Sequence, residues 1–230
     1  MKNNSDYKTY LLVKLNKLAI VVLNFDNKIL FKNETLIDNS FNFEILNNFL
    51  NKNIFKIEKL LREFVNNIFL IIDHHEFYST KLSIKDKTEN ILLNTDSINS
   101  LLLEAKNQCN YTLEGNDIIH MKIDNFKIDD VNYDFLPNKM GCKKFSIEVS
   151  FICLPKRISQ NFKKVLNNYQ ISLIKMLSYQ YLLNFNENKD DNIYEVAQKI
   201  LNGLNENEVF MSYKSSKNQG FFEKFFNFFN

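Results

Sequence analysis

Residue types able to do chemistry gather at one place in the chain, Asp73-His74-His75-Glu76. These side chains ligate metals and act as general acids and bases. They follow a continuous apolar run, Ile68 to Ile72, and α/β folds bind ligands beyond the carboxyl ends of their strands. A metal centre, however, needs several ligands aimed at one point, and adjacent residues at a turn are expected to point in different directions. His120 lies in a later strand, too remote in sequence to count as a partner. The tetrad therefore reads as a solvated turn, and no metal ligand is expected there.

Other reactive side chains are sparse. Cys109, Cys142 and Cys153 show no C-x-x-C spacing and read as packed, reduced thiols. No Ser-His-Asp arrangement is evident, and with 4 glycines in the chain there is no Gly-rich phosphate loop. No enzymatic activity and no cofactor are expected. The clearest basic cluster, Lys156, Arg157, Lys163 and Lys164, reads as the solvated face of a helix, with phosphate or acidic lipid as a weaker second reading.

The most specific signal is apolar. At roughly 100° per residue, Phe221, Phe222, Phe225, Phe226, Phe228 and Phe229 fall on one arc of about 160° of a terminal helix. Glu223, Lys224, Asn227 and Asn230 take the other side. The bland alternative is a helix docked on its own core. A polar stretch, Lys214-Ser-Ser-Lys-Asn-Gln219, precedes it, and six clustered Phe free in water would aggregate. These features favour a membrane-binding helix lying in the interface.

These segments belong to a chain of 230 residues with 29 basic and 27 acidic side chains, a net charge of +2. Such a length buries one or two small cores, and so balanced a charge provides no basic field for nucleic acid, which is not expected as a partner. No apolar run approaches the roughly 20 residues of a spanning helix, so the chain is expected to be soluble or bound to a surface.

The elements follow in order. Thr9–Leu15, Lys17–Phe25 and Lys28–Leu36 read as strands, with a hairpin turn at Asp26-Asn27. Leu18, Ile20 and Val22 alternate with Ala19, Val21 and Leu23; with both sets apolar, this strand is expected to be covered on both faces. Phe43 to Asn66 has helical period, in one or two pieces. Ile68 to Ile72 reads as a buried strand, parallel to a neighbour after a helical crossover. Phe77–Ile84, a helix from Thr95 or Asp96 to about Cys109, Asp117–Ile123 and Phe126–Phe135 then suggest an inserted α+β subdomain over residues 77–154. Phe145 to Cys153 alternates apolar and polar as a half-buried strand, ended by Pro155. Ile158 to Tyr169 reads as a helix, and Leu173, Ile174, Leu177 and Tyr181 as the face of a second one. Residues 186–218 read as a linker with a short helix near Glu195–Leu204, and 219–230 as the amphipathic helix.

This order resembles the bacterial cell-division protein FtsA, of the actin-like superfamily. The resemblance rests on the Ile68–Asp73 strand followed directly by the strand–helix–strand–strand insert. It also rests on His120 to Asp124 through Phe135-Leu-Pro137 and Gly141 to Cys153, and on Lys163 to Leu183, similar to a returning pair of helices. It implies an α/β (α+β) fold: half of an actin-like, ribonuclease H-like domain, made of residues 1–76 and 155–185, with the insert and a membrane-targeting tail. The family's first hairpin carries an Asp-x-Gly-Thr phosphate loop, whereas Val13-Lys-Leu-Asn-Lys17 has neither glycine nor acid. A turn without glycine does not bring backbone N–H groups around a phosphate. The second phosphate loop and the FtsZ-docking half are missing after Phe185. The resemblance thus implies a non-catalytic divisome adaptor, peripheral on the cytoplasmic face of the inner membrane. It would recruit other cell-division proteins through its insert, with self-association possible in the assembly. A degenerate actin-like ATPase, or an adaptor of another membrane assembly such as pilus biogenesis, is the alternative.

Overall fold

Alternation of apolar side chains on both faces builds the central sheet. The computed structural model describes residues 7–38, 41–86, 91–92, 95–137, 141–186 and 192–210. The described residues divide into two compact units: those within 7–78, 115–119 and 153–206 form one, and those within 79–114, 120–152 and 207–210 the other.

In the first unit, β1 (Tyr7–Lys14), β2 (Lys17–Asn24) and β3 (Ile29–Leu36) form an antiparallel meander. Helix α1 (Phe43–Leu61) crosses over to β4 (Asn67–Ile72), which pairs parallel to β1. The helix opens on Asn42, whose Oδ1 accepts from Ile45 N at 2.8 Å, an N-cap that satisfies one of the end's free amides. Arg62, left-handed at φ 58, ends it. In β2 Leu18, Ala19, Ile20, Val21, Val22 and Leu23 are all fully buried, as an all-apolar strand requires.

One sheet face packs on α1 and on α3 (Lys156–Asn167). Phe162 of α3 is the anchor, edge-on to Phe43 at 5.0 Å and stacked on Phe41 at 6.1 Å. Tyr169 Oη donates to the Asn47 carbonyl at 2.8 Å, tying the end of α3 to α1. Buried Asn53 links α1 to the edge strand β3: its Oδ1 accepts from Asn33 Nδ2 at 2.6 Å. Against the other face, α5 (Ile193–Leu201) places Tyr194 6.2 Å from Tyr10. Burial pushes both phenols up. This helix buries Tyr194, Val196, Ala197 and Ile200, in the stretch that reads as a linker with a short helix near Glu195–Leu204.

One expectation fails here. Leu173 to Leu177 do not start a second helix. They form β11 (Ser172–Ser178), parallel to β4, and only α4 (Tyr179–Leu183) is helical. α3 closes at Asn168, and Gln170, with a left-handed φ of 58, turns the chain before the next element. The following run is short enough to fit either period, and pairing with the open edge of β4 decides for the strand. The sheet order is β11-β4-β1-β2-β3, antiparallel from β1 to β3 and parallel from β1 to β11.

The second unit holds most of β5 (Tyr78–Lys85), together with β6 (Ile91–Leu92), α2 (Thr95–Thr112), β8 (Val131–Tyr133), β9 (Gly141–Cys142) and the larger parts of β7 (Asn116–Ile128) and β10 (Phe145–Pro155). The strands form a four-stranded sheet, β5-β10-β7-β8, and a two-stranded β6-β9 ribbon. Helix α2 buries Ile98, Leu101, Leu102, Ala105 and Cys109, one stripe at helical spacing. The two strands expected over 117–123 and 126–135 are instead one long strand and a short one. Their turn lies at Asp129-Asp130, where both residues have positive φ, 46 and 70. Aspartate tolerates that conformation, and hairpin turns of two residues demand it. Asp129 Oδ1 also accepts from the Lys143 and Lys144 amides at 2.9 and 2.8 Å, holding the turn to the start of β10.

Candidate functional site

The three parallel strands place their carboxyl ends together. Val13 pairs with Ile72, and Ile72 with Ser178, so the residues after β1, β4 and β11 share one edge of the sheet. Asp73 extends β4, its amide donating to the Val13 carbonyl at 2.9 Å. Its carboxylate accepts from Gln180 Nε2 at 3.2 Å and stands 3.8 Å from Lys14 Nζ. The same ammonium lies 4.1 Å from the Tyr179 ring centre, a cation–π contact. Between β1 and β2 the turn is only Leu15-Asn16, with Lys14 opposite Lys17. So tight a hairpin without glycine offers no concave row of amides.

Beyond Asp73 the chain turns through His74, His75 and Glu76. The expectation that these side chains diverge is not met: the two imidazoles stack at 4.6 Å, and the ligand atoms of all three lie within 4.8 Å of one another. Their bonding shows what a cation would have to displace. His74 Nδ1 accepts from the Glu76 amide at 3.2 Å, which assigns the proton of the neutral ring to Nε2. Coordination through Nε2 would move that proton to Nδ1, against the amide N–H; coordination through Nδ1 would displace the amide. The Glu76 carboxylate is hydrogen-bonded by Arg157 Nη2, and that hydrogen bond holds its pKa below the usual carboxylate range. Burial, with His75 beside it, lowers the pKa of His74. Two of the three, His74 and Glu76, thus have hydrogen-bond partners within the chain.

Of the basic cluster, Lys156, Arg157, Lys163 and Lys164 are all exposed on α3, and the turn before β5 engages Arg157. Gln180 and Tyr179 carry no sequence signal; only the parallel pairing of β11 brings them to Asp73. The three cysteines are buried.

The second unit has its own polar centre. Asp124 is bonded by Ser150 Oγ, and Lys122 Nζ and Lys81 Nζ lie 2.9 and 3.0 Å from its oxygens. Burial opposes ionisation of this carboxyl, but the three donors outweigh it and lower its pKa. His120, remote in sequence from any partner, meets Glu208 in a buried pair. The Phe221, Phe222, Phe225, Phe226, Phe228 and Phe229 stripe lies outside the described residues.

The fold and this strand edge define an α/β protein whose parallel strands end together at one edge of a five-stranded sheet. No protein-family model and no curated protein sequence matches the chain. Solved structures similar to it include a PilM–PilN type IV pilus biogenesis complex, at 8% identity and TM-score 0.45, matched over 77% of this chain and 49% of that one. A Bacteroides thetaiotaomicron protein with an actin-like ATPase fold and unknown function is matched at 14% identity and TM-score 0.33, over 77% and 54%. The cytoplasmic domain of EpsL, an inner-membrane component of the type II secretion system of Vibrio cholerae, is matched at 9% identity and TM-score 0.35, over 76% and 57%. The chain spans about half the length of these structures. Among the described residues no helix is long and apolar enough to cross a membrane.

Proposed function

We propose that this chain is a non-catalytic adaptor of a membrane-associated protein assembly, peripheral on the cytoplasmic face of the membrane. One observation carries the non-catalytic part. At the strand edge where an actin-like protein opens its phosphate site, a two-residue turn closes β1 and β2, and Lys14 and Arg157 face the chain's own Asp73 and Glu76. A nucleotide would find no cradle of amides at that turn, and these two cations already face acids of the chain. The resemblance to FtsA supplies the rest: an insert that presents a partner surface and a terminal Phe-rich segment that reaches lipid. Two assemblies answer this description, a pilus-biogenesis or secretion apparatus and the division apparatus.

Equilibrium binding of labelled ATP with Mg²⁺ tests the first part; no saturable binding is expected, and micromolar affinity would overturn it. A fluorescent fusion in dividing cells separates the assemblies, because a mid-cell ring marks division and its absence favours the pilus or secretion reading. Recovery of partners with the full chain but not after loss of the 79–152 region would support the insert as their docking surface.

A further inference from the structure

Strand β3 is the outer edge of the five-stranded sheet, and among the described residues no strand pairs with its free side. The phase of its hydrogen bonds to β2 is fixed at both ends. The Ile37 amide donates to the Asn16 carbonyl at 2.9 Å, and the Asn24 amide to the Lys28 carbonyl at 3.0 Å. Bonded positions alternate along an antiparallel pair, so Phe31, Asn33 and Thr35 turn their backbone groups to β2. Lys32, Glu34 and Leu36 turn theirs outward, an open row of donors and acceptors. Natural edges are usually blocked by proline, by a bulge or by a charge that nothing answers. β3 has no proline, and its register shift against β2 lies near its start, opposite Val22 and Leu23. The Lys32 and Glu34 side chains are 47% and 46% exposed. Ile29, Leu30 and Leu36 are large apolar residues, 47%, 41% and 79% exposed.

We propose that β3 is a self-association edge, which pairs antiparallel with β3 of a second copy of this chain and continues the sheet across a two-fold axis at Asn33. Charge and register select this occupant. An added strand must set outward backbone groups against outward ones, so the register shifts only in steps of two residues. With Asn33 opposite Asn33 of the second copy, Lys32 faces Glu34 of that copy, and Glu34 faces its Lys32. Both pairs lie on one face of the joined sheet, where opposite charges directly across favour pairing. Leu36 comes over the Ile29–Leu30 end of the second copy. The neighbouring registers set Lys32 against Lys32, or Glu34 against Glu34, which is unfavourable. The strand is thus complementary to its own reverse, as an isologous interface requires. Lys17 and Lys32 of the same chain stand 2.9 and 3.5 Å from Glu34, and pairing brings up the second copy's Lys32 as well. One strand from each copy makes a small interface, so the dimer should be reversible and concentration-dependent. The inference goes beyond the adaptor reading and does not depend on it.

Sedimentation velocity of the full chain over a concentration series tests this. The Phe222→Glu, Phe225→Glu background keeps the terminal stripe from driving association. A monomer–dimer equilibrium is expected. Lys32→Glu sets acid against acid across the axis, and Glu34→Lys sets base against base. Each alone should weaken the dimer by at least about tenfold. Mixed one to one, the two variants should restore it, because each acidic strand then meets a basic one. Lys32→Glu with Glu34→Lys in one chain should restore it as well. The Lys32, Glu34 and Leu36 amides should exchange more slowly as concentration rises. Circular dichroism checks the fold of each variant; if a single variant does not fold, the double exchange and the amide protection decide. A monomer at every concentration, a dimer unweakened in the folded single variants, or no recovery in their mixture would overturn the inference. Charge-dependent capture of another protein's strand by a monomeric chain would overturn it too, and assign the edge to that partner. None of these outcomes touches ATP binding or partner recovery through the insert, so the adaptor reading stands or falls separately.

Discussion

His120 Nδ1 stands 2.8 Å from Glu208 Oε1, and each side chain is only 1% exposed. The pair joins residues 88 positions apart and fastens the segment after α5 to β7. Around it the Ile123 amide donates to the Asn207 carbonyl at 2.9 Å, and the Val209 amide to that of Met121 at 2.8 Å. Removing one member of a buried pair strands the charge or dipole of the other, at a cost of about 3–5 kcal/mol. Glu208→Ala should lower the denaturant midpoint accordingly. It should also speed hydrogen exchange at the Ile123 and Val209 amides. An unchanged midpoint would show that the pair does not hold this segment.

His74 ties stability to pH. Its pKa is lowered from an ordinary value of 6.5 by burial and by His75. Between the lowered value and 6.5 the unfolded chain binds the more protons, so acidification favours unfolding. The contribution of neutral His74 is complete above 6.5 and is lost as pH falls through the lowered value. The denaturant midpoint should therefore drop from neutral pH toward about pH 5, and the drop should be shallower in His74→Gln. NMR titration of the ring should give a midpoint below 6.5; a midpoint above it would refute the account.

Phe162 is fully buried between Phe41 and Phe43. Truncation there leaves a cavity where α1 and α3 meet over the sheet. Phe162→Ala should cost about 3–5 kcal/mol, and Phe162→Leu clearly less. Urea unfolding followed by circular dichroism measures both, and equal losses would show that the ring shape contributes little.

For the terminal segment, burying a Phe side chain fully is worth about 1.5–3 kcal/mol, and an interfacial helix buries its face only in part. Phe222→Glu with Phe225→Glu should weaken binding to neutral vesicles without changing the circular dichroism of the body. A lost folded signal would place these side chains in the core and end the membrane reading of the stripe.

Much of the first unit is legible in sequence because its elements declare themselves locally. The all-apolar run Leu18–Leu23 can only be a strand covered on both faces, and α1 shows one apolar stripe with an asparagine cap. β4 is a short apolar run between turn residues. A change of pattern after Phe77 lies close to where the second unit begins, at Ser79. β11 is not legible: Leu173, Ile174 and Leu177 fit a helical face as well as a strand, and the open edge of β4 makes the choice. The turn at Asp129-Asp130 is hidden because Asp124-Asn125 looks equally turn-like; Ser150 and Glu148 of β10 instead bond Asp124 and Asn125 within the ladder. The meeting of Lys14, Asp73 and Gln180, and that of His120 with Glu208, depend on parallel pairing and strand addition between distant segments. Local propensity carries no record of such partners, and the free energy of burying them together exists only once the sheet is assembled.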